Sequence, residues 1–428
     1  MSDDKIKLNF SIPTDTQKII KVIGVGGGGG NAVSHMFRKG IHDVSFVLCN
    51  TDVQAMKNSE VPVKLCLGPQ TTKGLGAGNR PEVARASAVE SEDEIRSMLS
   101  DGTQMVFITA GMGGGTGTGA APVIARIAKE MSILTVGIVT IPFVFEKKNK
   151  ILQALVGVEE MNRNVDALLV INNERLYDIY KNISTSASAA FAKADDTLAV
   201  AAKSIAEIIT VNGIINLDFA DVRTTMENGG VALMSDGYGE GEGRLETAID
   251  DAFRSPLLNN SNIFNAKKIL FNISSGKGDD ELSIDEMAYM DAFMDRFGSD
   301  IDVIWGLARD ESLEGKVKFT VLATGFDLTD EAFEASMQSG DEKERTRDET
   351  HRYQEYLLRK YYGDMIHKRP APSIPILTLE EMEDENIVEI IEKYPACNRN
   401  PSLLENARNK VSFENRKNES ATPVISGF

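Results

Sequence analysis

Two glycine-rich stretches constrain this chain more than any other feature. GVGGGGGNAV runs from Gly24 to Val33 and AGMGGGTGTGAAPV from Ala110 to Val123, and each follows an apolar run and opens a helical pattern. At the foot of a helix, glycine lets the backbone approach an anion, while the first N–H groups and the positive end of the helix dipole face it. Alone, the first loop is ambiguous. Gly24, Gly26 and Gly29 satisfy G-x-G-x-x-G, and Asp52 follows near the end of a second strand, as in a dinucleotide-binding Rossmann domain. The second loop separates the readings: a nicotinamide domain needs one such loop, whereas a triphosphate is long enough to need two. Charge-assisted N–H bonds at about 1.5 to 3 kcal/mol each hold it without a lysine. No G-x-x-x-x-G-K-[ST] sequence occurs, so P-loop NTPases are excluded. Thr116 and Thr118 add hydroxyl donors, and their plainer role, helix capping, is compatible with phosphate binding.

The surrounding pattern is α/β. Apolar strands at Ile19 to Val25, Val44 to Cys49, Met105 to Ala110, Thr135 to Ile141 and Ala167 to Ile171 alternate with helical stretches, as in a parallel sheet covered on both faces. Leu198, Ala202, Ile205 and Ile209 then recur at helical spacing. The expected order is a flexible N-terminal tail (1–18), a Rossmann-like parallel-sheet nucleotide domain (19–186), a long central helix (187–215) and a smaller α+β domain (216–326). A charged linker (327–375), a short amphipathic partner-binding segment (376–397) and a disordered tail (398–428) complete it.

The formal net charge of -18 over 428 residues repels phosphate backbones and anionic lipid, so neither nucleic acid nor a bare membrane is an expected partner. Cys49, Cys66 and Cys397 lack C-x-x-C spacing and His35, His42, His351 and His367 lack ligand spacing, so no disulfide framework, no zinc site and no metal site built from histidine is expected. MSDDKIKLNF lacks the basic region and apolar core of a signal peptide, and the run Ile133 to Phe145 is too short to cross a bilayer of about 30 Å. The expectation is a soluble intracellular protein.

With NTD at Asn50 to Asp52 and INLDFADVRT at Ile215 to Thr224, the glycine loops resemble the tubulin/FtsZ superfamily, whose signature is GGGTGTG, and within it the bacterial division branch. The resemblance spans about residues 19 to 326. It implies a cytoplasmic GTPase that uses GTP/GDP and Mg²⁺, polymerises head to tail with itself, and scaffolds the septal ring at midcell. A membrane adaptor and other division proteins would bind the C-terminal segment.

The resemblance also implies site roles. Gly26, Gly27, Gly28, Gly29, Gly30 and Asn31, with Gly113, Gly114, Gly115, Thr116, Gly117, Thr118 and Gly119, would hold phosphates, and Gly76, Ala77 and Gly78 of GLGAG would close over the triphosphate end. Glu146 matches the ribose-binding glutamate, and Asn173, Phe191 and Asp195 match residues that contact guanine. A carboxylate at Asp195 suits guanine, accepting from N1–H and the exocyclic amine together. For Phe191, core packing stands equal to base contact.

Asn216, Asp218 and Asp221 would enter the next subunit's pocket and orient the attacking water, although by spacing alone the two acids read as solvated helix caps. Lys147 and Lys150 depart from the family's usual glycine and arginine, which turns a bidentate phosphate contact into a point charge. Arg80, in GAGNRP, is a further departure beside the pocket. The competing functions are a Rossmann-type oxidoreductase and a relative that binds GTP without hydrolysing it.

Overall fold

The computed structural model describes residues 18–41, 43–180, 187–211, 213–255, 263, 266–297, 301–326, 347–363 and 385–393. Residues 1–17 of the expected N-terminal tail (1–18), the expected tail at 398–428 and most of the expected linker lie outside these residues.

Strands β1 (Ile20–Val25), β2 (Val44–Asn50), β3 (Val63–Cys66), β4 (Met105–Gly111), β5 (Leu134–Ile141) and β6 (Ala167–Asn172) pair in parallel in the order β3-β2-β1-β4-β5-β6. Strands β1 and β5 are buried along their whole length, which is why they read as mainly apolar runs, and the one charge among them, the buried Lys21 of β1, is paired with Asp101. The connections are α1 (Gly26–Arg38), α2 (Val53–Lys57), α3 (Pro81–Glu90), α4 (Glu92–Leu99), α5 (Gly115–Glu130) and α6 (Lys148–Asn164), with α7 (Asn173–Tyr180) after β6. From β1 the chain winds to one side, and from β4 to the other. The carboxyl ends of β1 and β4, where both glycine loops begin, therefore lie side by side, with Val25 opposite Ala110. Open α/β sheets bind ligands at such a switch point.

Helix α8 (Ala187–Thr210) buries Leu198, Ala202 and Ile205 in a core shared with Val22, Phe107 and Val136 on one side and Leu270 and Leu322 on the other. Each of the larger side chains contributes about 1.5 to 3 kcal/mol, and the Ala202 methyl less. The helix ends five residues before the expected 215, because β7 (Gly213–Ile215) begins there. A Cβ on Gly213 would stand 2.6 Å from the Leu307 carbonyl oxygen, so only glycine permits this close strand approach.

After α9 (Phe219–Met226) come β8 (Gly230–Gly239), α10 (Arg244–Arg254), β9 (Lys268–Ser275), α11 (Ile284–Met294), β10 (Asp302–Arg309) and β11 (Val317–Thr324). Strand β8 pairs parallel to β6 and antiparallel to β11, and β11, β9, β10 and β7 continue the same sheet. A second core forms around Phe271, Phe293 and Phe319, whose rings meet edge-on or stacked.

The linker expected over 327–375 is corrected at its centre, where α12 (Arg347–Tyr362) is helical with Leu357 fully buried and Tyr362 1% exposed. The charges of RDETHRYQEYLLRKYY dominate its composition, yet Leu357, Leu358 and Tyr362 recur at helical spacing and form an apolar stripe. Residues 364–428 form a separate unit, in which α13 (Glu385–Lys393) lies within the expected partner-binding segment.

Candidate functional site

Helices α1 and α5 open with their N-termini uncapped. Val25 and Gly114 are the N-cap residues, neither makes a side-chain cap, and neither first turn carries an acid. Their first N–H groups are left for a ligand or water to satisfy. The loops touch: a Cβ on Gly26 would lie 2.9 Å from Gly117 N, and one on Gly28 would lie 3.3 Å from Gly111 Cα. Gly29 is fixed by packing, since its Cβ would fall 2.2 Å from the Thr109 carbonyl oxygen. Gly27, Gly30 and Gly114 differ. A Cβ on any of them meets nothing within 4 Å, and none of the three has a positive φ. The fold does not demand glycine there, whereas a polyanion lying on the backbone does.

The segment Gly74 to Arg80 closes one side. Gly74, Gly76, Gly78 and Asn79 have φ of 73°, 89°, 60° and 59°, values that glycine adopts freely and asparagine tolerates. Val53 N donates to the Gly74 carbonyl at 3.1 Å and Gly76 N to the Thr51 carbonyl at 3.0 Å. Ala77 is buried, and a Cβ on Gly115 would reach Arg80 N at 2.9 Å, so this loop lies against the foot of α5. The two threonines of the second loop face inward: Thr118 Oγ1 accepts from Gly113 N at 2.9 Å, and Thr116 Oγ1 lies 2.8 Å from Thr51 Oγ1. The Thr118 hydroxyl thus does not cap α5 but ties the glycine turn before it back to the helix.

On the opposite side, Glu146 Oε1 accepts from Phe143 N at 3.0 Å and Oε2 from Lys150 Nζ at 2.5 Å. Lys150 is thus already paired with the residue expected to face a ribose. Lys147 sits at φ 82°, a backbone state that glycine adopts without strain. Asn173 is buried, and its Oδ1 has no hydrogen-bond partner among the described residues. Such an orphan costs about 1 to 3 kcal/mol. Of two adjacent acids in α8, Asp196 is engaged by His35 and Lys39. Asp195 accepts no hydrogen bond among the described residues, and burial, only partly offset by His35, pushes its carboxyl up to about 6. The side chain of Phe191 lies outside the described residues. Unpaired acceptors at Asn173 and Asp195 suit a base edge made of donors, and the open glycines suit phosphates. The residues present fit a guanine nucleotide.

Two residues missed in the sequence support these walls. Gln153 of α6 donates to the Gly113 and Gly114 carbonyls, both at 3.2 Å, and the buried Glu174 accepts from Val144 N at 2.9 Å. Gln153 belongs to no motif, Glu174 directly follows Asn173 in INNERL with nothing local to mark its role, and each acts across some 30 to 40 residues of chain.

Asn216, Asp218 and Asp221 stand apart. Asp218 caps α9, accepting from Ala220 N at 2.7 Å and Asp221 N at 3.0 Å, while Asp221 accepts from Asp218 N at 2.9 Å. Asn216 accepts from Gly213 N at 2.6 Å. Within one chain these acids form the capping box that their spacing allowed. Among the described residues, no hydrogen bond joins their side chains to the glycine loops.

A family model described as "Tubulin/FtsZ family, GTPase domain" matches residues 19–181, and one described as "FtsZ family, C-terminal domain" matches residues 230–327. The chain is similar to the cell division protein FtsZ of Porphyromonas gingivalis, with 51% identity over 94% of this chain and 90% of that protein. The protein of the same name from Pseudomonas aeruginosa is 47% identical over 72% of this chain and 77% of its own length. Among solved structures, an empty FtsZ dimer from M. jannaschii aligns with a TM-score of 0.65 and 38% identity, covering 72% of this chain and 88% of that one. A GTPγS-bound protofilament of CetZ2 from Haloferax volcanii aligns with a TM-score of 0.62 over 78% of this chain and 99% of that one, and at 21% identity it supports the fold alone.

Proposed function

We propose, from the premise that this chain belongs to the FtsZ family of tubulin-like GTPases, that it assembles head to tail into filaments that scaffold the septal ring, and that hydrolysis is completed between subunits. As a family member it is a GTPase that binds guanine nucleotide. The oxidoreductase reading falls with that match, and the binding-only reading falls with it.

The observation that carries the proposal is the isolation of the acidic segment. Among the described residues, the side chains of Asp218 and Asp221 are bound only to their own helix start, and they lie at its surface, although GTP hydrolysis requires a group to orient water. A second copy supplying this segment to the glycine loops of the first reunites what one chain keeps apart. In such a junction the α1 and α5 N-termini, with Gly27, Gly30 and Gly114, hold the phosphates. Asn173 and Asp195 read the base, and Glu146 the ribose. Phe191 lies on the same helix as Asp195. Among the described residues no three acids, histidines or cysteines converge, so Mg²⁺ would be held mainly by phosphate oxygens and water. When bound, it neutralises charge that would otherwise repel Asp218 and Asp221.

Among the described residues no helix is long and apolar enough to cross a membrane. Residues 376–397 are the proposed docking segment for a membrane adaptor and other division proteins, which would hold the filaments at midcell on the cytoplasmic side.

GTP turnover per molecule is expected to be negligible in dilute solution and to rise above a threshold concentration, read by phosphate release across a dilution series. Turnover proportional to concentration throughout, with no threshold, would defeat the shared-site proposal. Lys150→Arg tests the pocket itself. A planar fork can hold Glu146 and still reach a phosphate oxygen, which an ammonium on the same pair cannot match. One added hydrogen bond of about 0.5 to 1.5 kcal/mol should tighten GTP roughly two- to tenfold. Equal affinities by titration calorimetry would mean that Lys150 is committed to Glu146.

A further inference from the structure

Helix α12 ends against the wall that carries the proposed base and ribose contacts. The Tyr362 hydroxyl donates to the Pro142 carbonyl at 2.5 Å, immediately before the turn that carries Glu146. Asn172 Nδ2 donates to the Tyr361 carbonyl at 3.0 Å, satisfying an acceptor in the last turn of α12 that the helix itself leaves unpaired. Glu159 of α6 accepts from the Tyr361 hydroxyl at 2.8 Å and from Lys360 Nζ at 3.0 Å, with the Lys360 side chain 7% exposed. Leu357 and Tyr362 are buried, so the helix is seated by its apolar stripe as well as by hydrogen bonds.

These anchors lead directly into the pocket. Asn172 Oδ1 accepts from Glu174 N at 2.9 Å, and the Glu174 carboxylate accepts from Val144 N at 2.9 Å. Asn173, with its unpaired buried Oδ1, is the residue between them in sequence. One connected set of bonds thus joins the end of α12, the β6–α7 corner and the 143–146 turn. Undocking α12 removes the partner of a buried Asn172 amide and frees the Pro142 carbonyl, and the relaxation falls on the residues that face the ligand.

We infer that α12 is a positioning element of the nucleotide site: an arm beyond the C-terminal α+β part clamps the Pro142–Glu146 turn and the Asn172–Asn173 corner and thereby sets GTP affinity. The inference rests on the proposed reading of Glu146 and Asn173 as nucleotide contacts. It makes residues 347–362 part of the pocket's support, where their composition had marked them as linker.

The test uses the full chain with Leu357→Asp and Leu358→Asp together, because two carboxylates cannot remain in that seat. Binding of a fluorescent GTP analogue should weaken about tenfold, and KM should rise by a similar factor with kcat above the assembly threshold nearly unchanged. Amide exchange at residues 143–146 should quicken. Tyr362→Phe, which removes one hydroxyl and leaves the seat filled, should raise KM about two- to threefold. Affinity and KM at wild-type values in the double variant would overturn the inference, and should that variant fail to fold, a wild-type KM in Tyr362→Phe does the same. Asn173→Ala separates the two readings. If it weakens GTP while undocking α12 does not, only the clamp is wrong, and if it has no effect, the pocket assignment beneath the clamp is at fault.

Discussion

Asp221→Asn is expected to slow GTP hydrolysis by about 10²- to 10³-fold, the cost of removing one preorganised contact to a transition state, while leaving assembly and melting temperature near wild type. The choice of asparagine follows from the capping box. Asp221 accepts from Asp218 N at 2.9 Å, and an asparagine Oδ1 can make the same bond, so helix α9 keeps its start and only the charge is lost. Asp221→Ala confounds the two roles, since losing a cap costs about 0.5 to 2 kcal/mol of stability by itself. Mixing carries the test further. Thr118→Ala loses the hydroxyl that accepts from Gly113 N and so loosens the second glycine loop, but keeps an intact acidic segment. Filaments containing both variants would include junctions in which an intact pocket meets an intact Asp221, and the mixture should outrun both parents. Co-sedimentation of the two variants with turnover no faster than their average would show that Asp221 serves its own chain or has no part in hydrolysis.

Asp195 governs the second expected result. Its carboxyl is pushed up to about 6 by burial, and with no hydrogen bond among the described residues it can offer both oxygens to guanine only when ionised. As pH falls below about 6, the protonated group keeps one acceptor and gains a donor that faces the guanine N–H groups. GTP affinity should therefore drop by up to tenfold per pH unit there. The sign for the ligand-free fold is opposite. A carboxyl raised on folding contributes stability that is fully present below its unfolded value and is lost as pH rises through about 6. Asp195→Asn should weaken GTP by about 1 to 3 kcal/mol, roughly 5- to 150-fold, because the amide NH₂ meets guanine donors. It should favour xanthosine triphosphate, whose carbonyl at the same ring position accepts from that amide. The phosphates titrate alike in both proteins, so the difference between their pH profiles belongs to the side chain. Parallel profiles with unchanged GTP preference would remove Asp195 from the base site.

Much of this was legible before any coordinates because it is local. A glycine loop between an apolar strand and a helix declares its anion-facing backbone within about ten residues, and strands buried on both faces write themselves as continuous apolar runs. A triphosphate-sized anion site, the parallel sheet and the long helix of Leu198, Ala202 and Ile205 are legible that way, whereas guanine came from the family resemblance. Spacing also allowed the capping of Asp218 and Asp221, and the folded chain forms it.

What the sequence could not decide depends on partners far along the chain. Asp195 and Asp196 are neighbours in one helix, and only the approach of His35 from α1 and Lys39 just past its end occupies one and leaves the other free. Gln153 belongs to no motif and Glu174 only borders Asn173 in INNERL, yet they hold their loops across roughly forty and thirty residues. Gly213 ended the central helix early because a distant strand needed the space its missing side chain leaves. Helix α12 is the largest such case. Judged by composition, residues 347–362 carry too much charge to fold alone, and by themselves they bury nothing. Their order comes from a seat on α6 and from acceptors and donors at Pro142, Glu159 and Asn172, about two hundred residues earlier. Sequence determined which backbone could hold a nucleotide, because backbone chemistry at a loop is set by its own residues. Tertiary structure decided which side chains remain free to use it, because a charge or amide is spent or spared only by what folds against it.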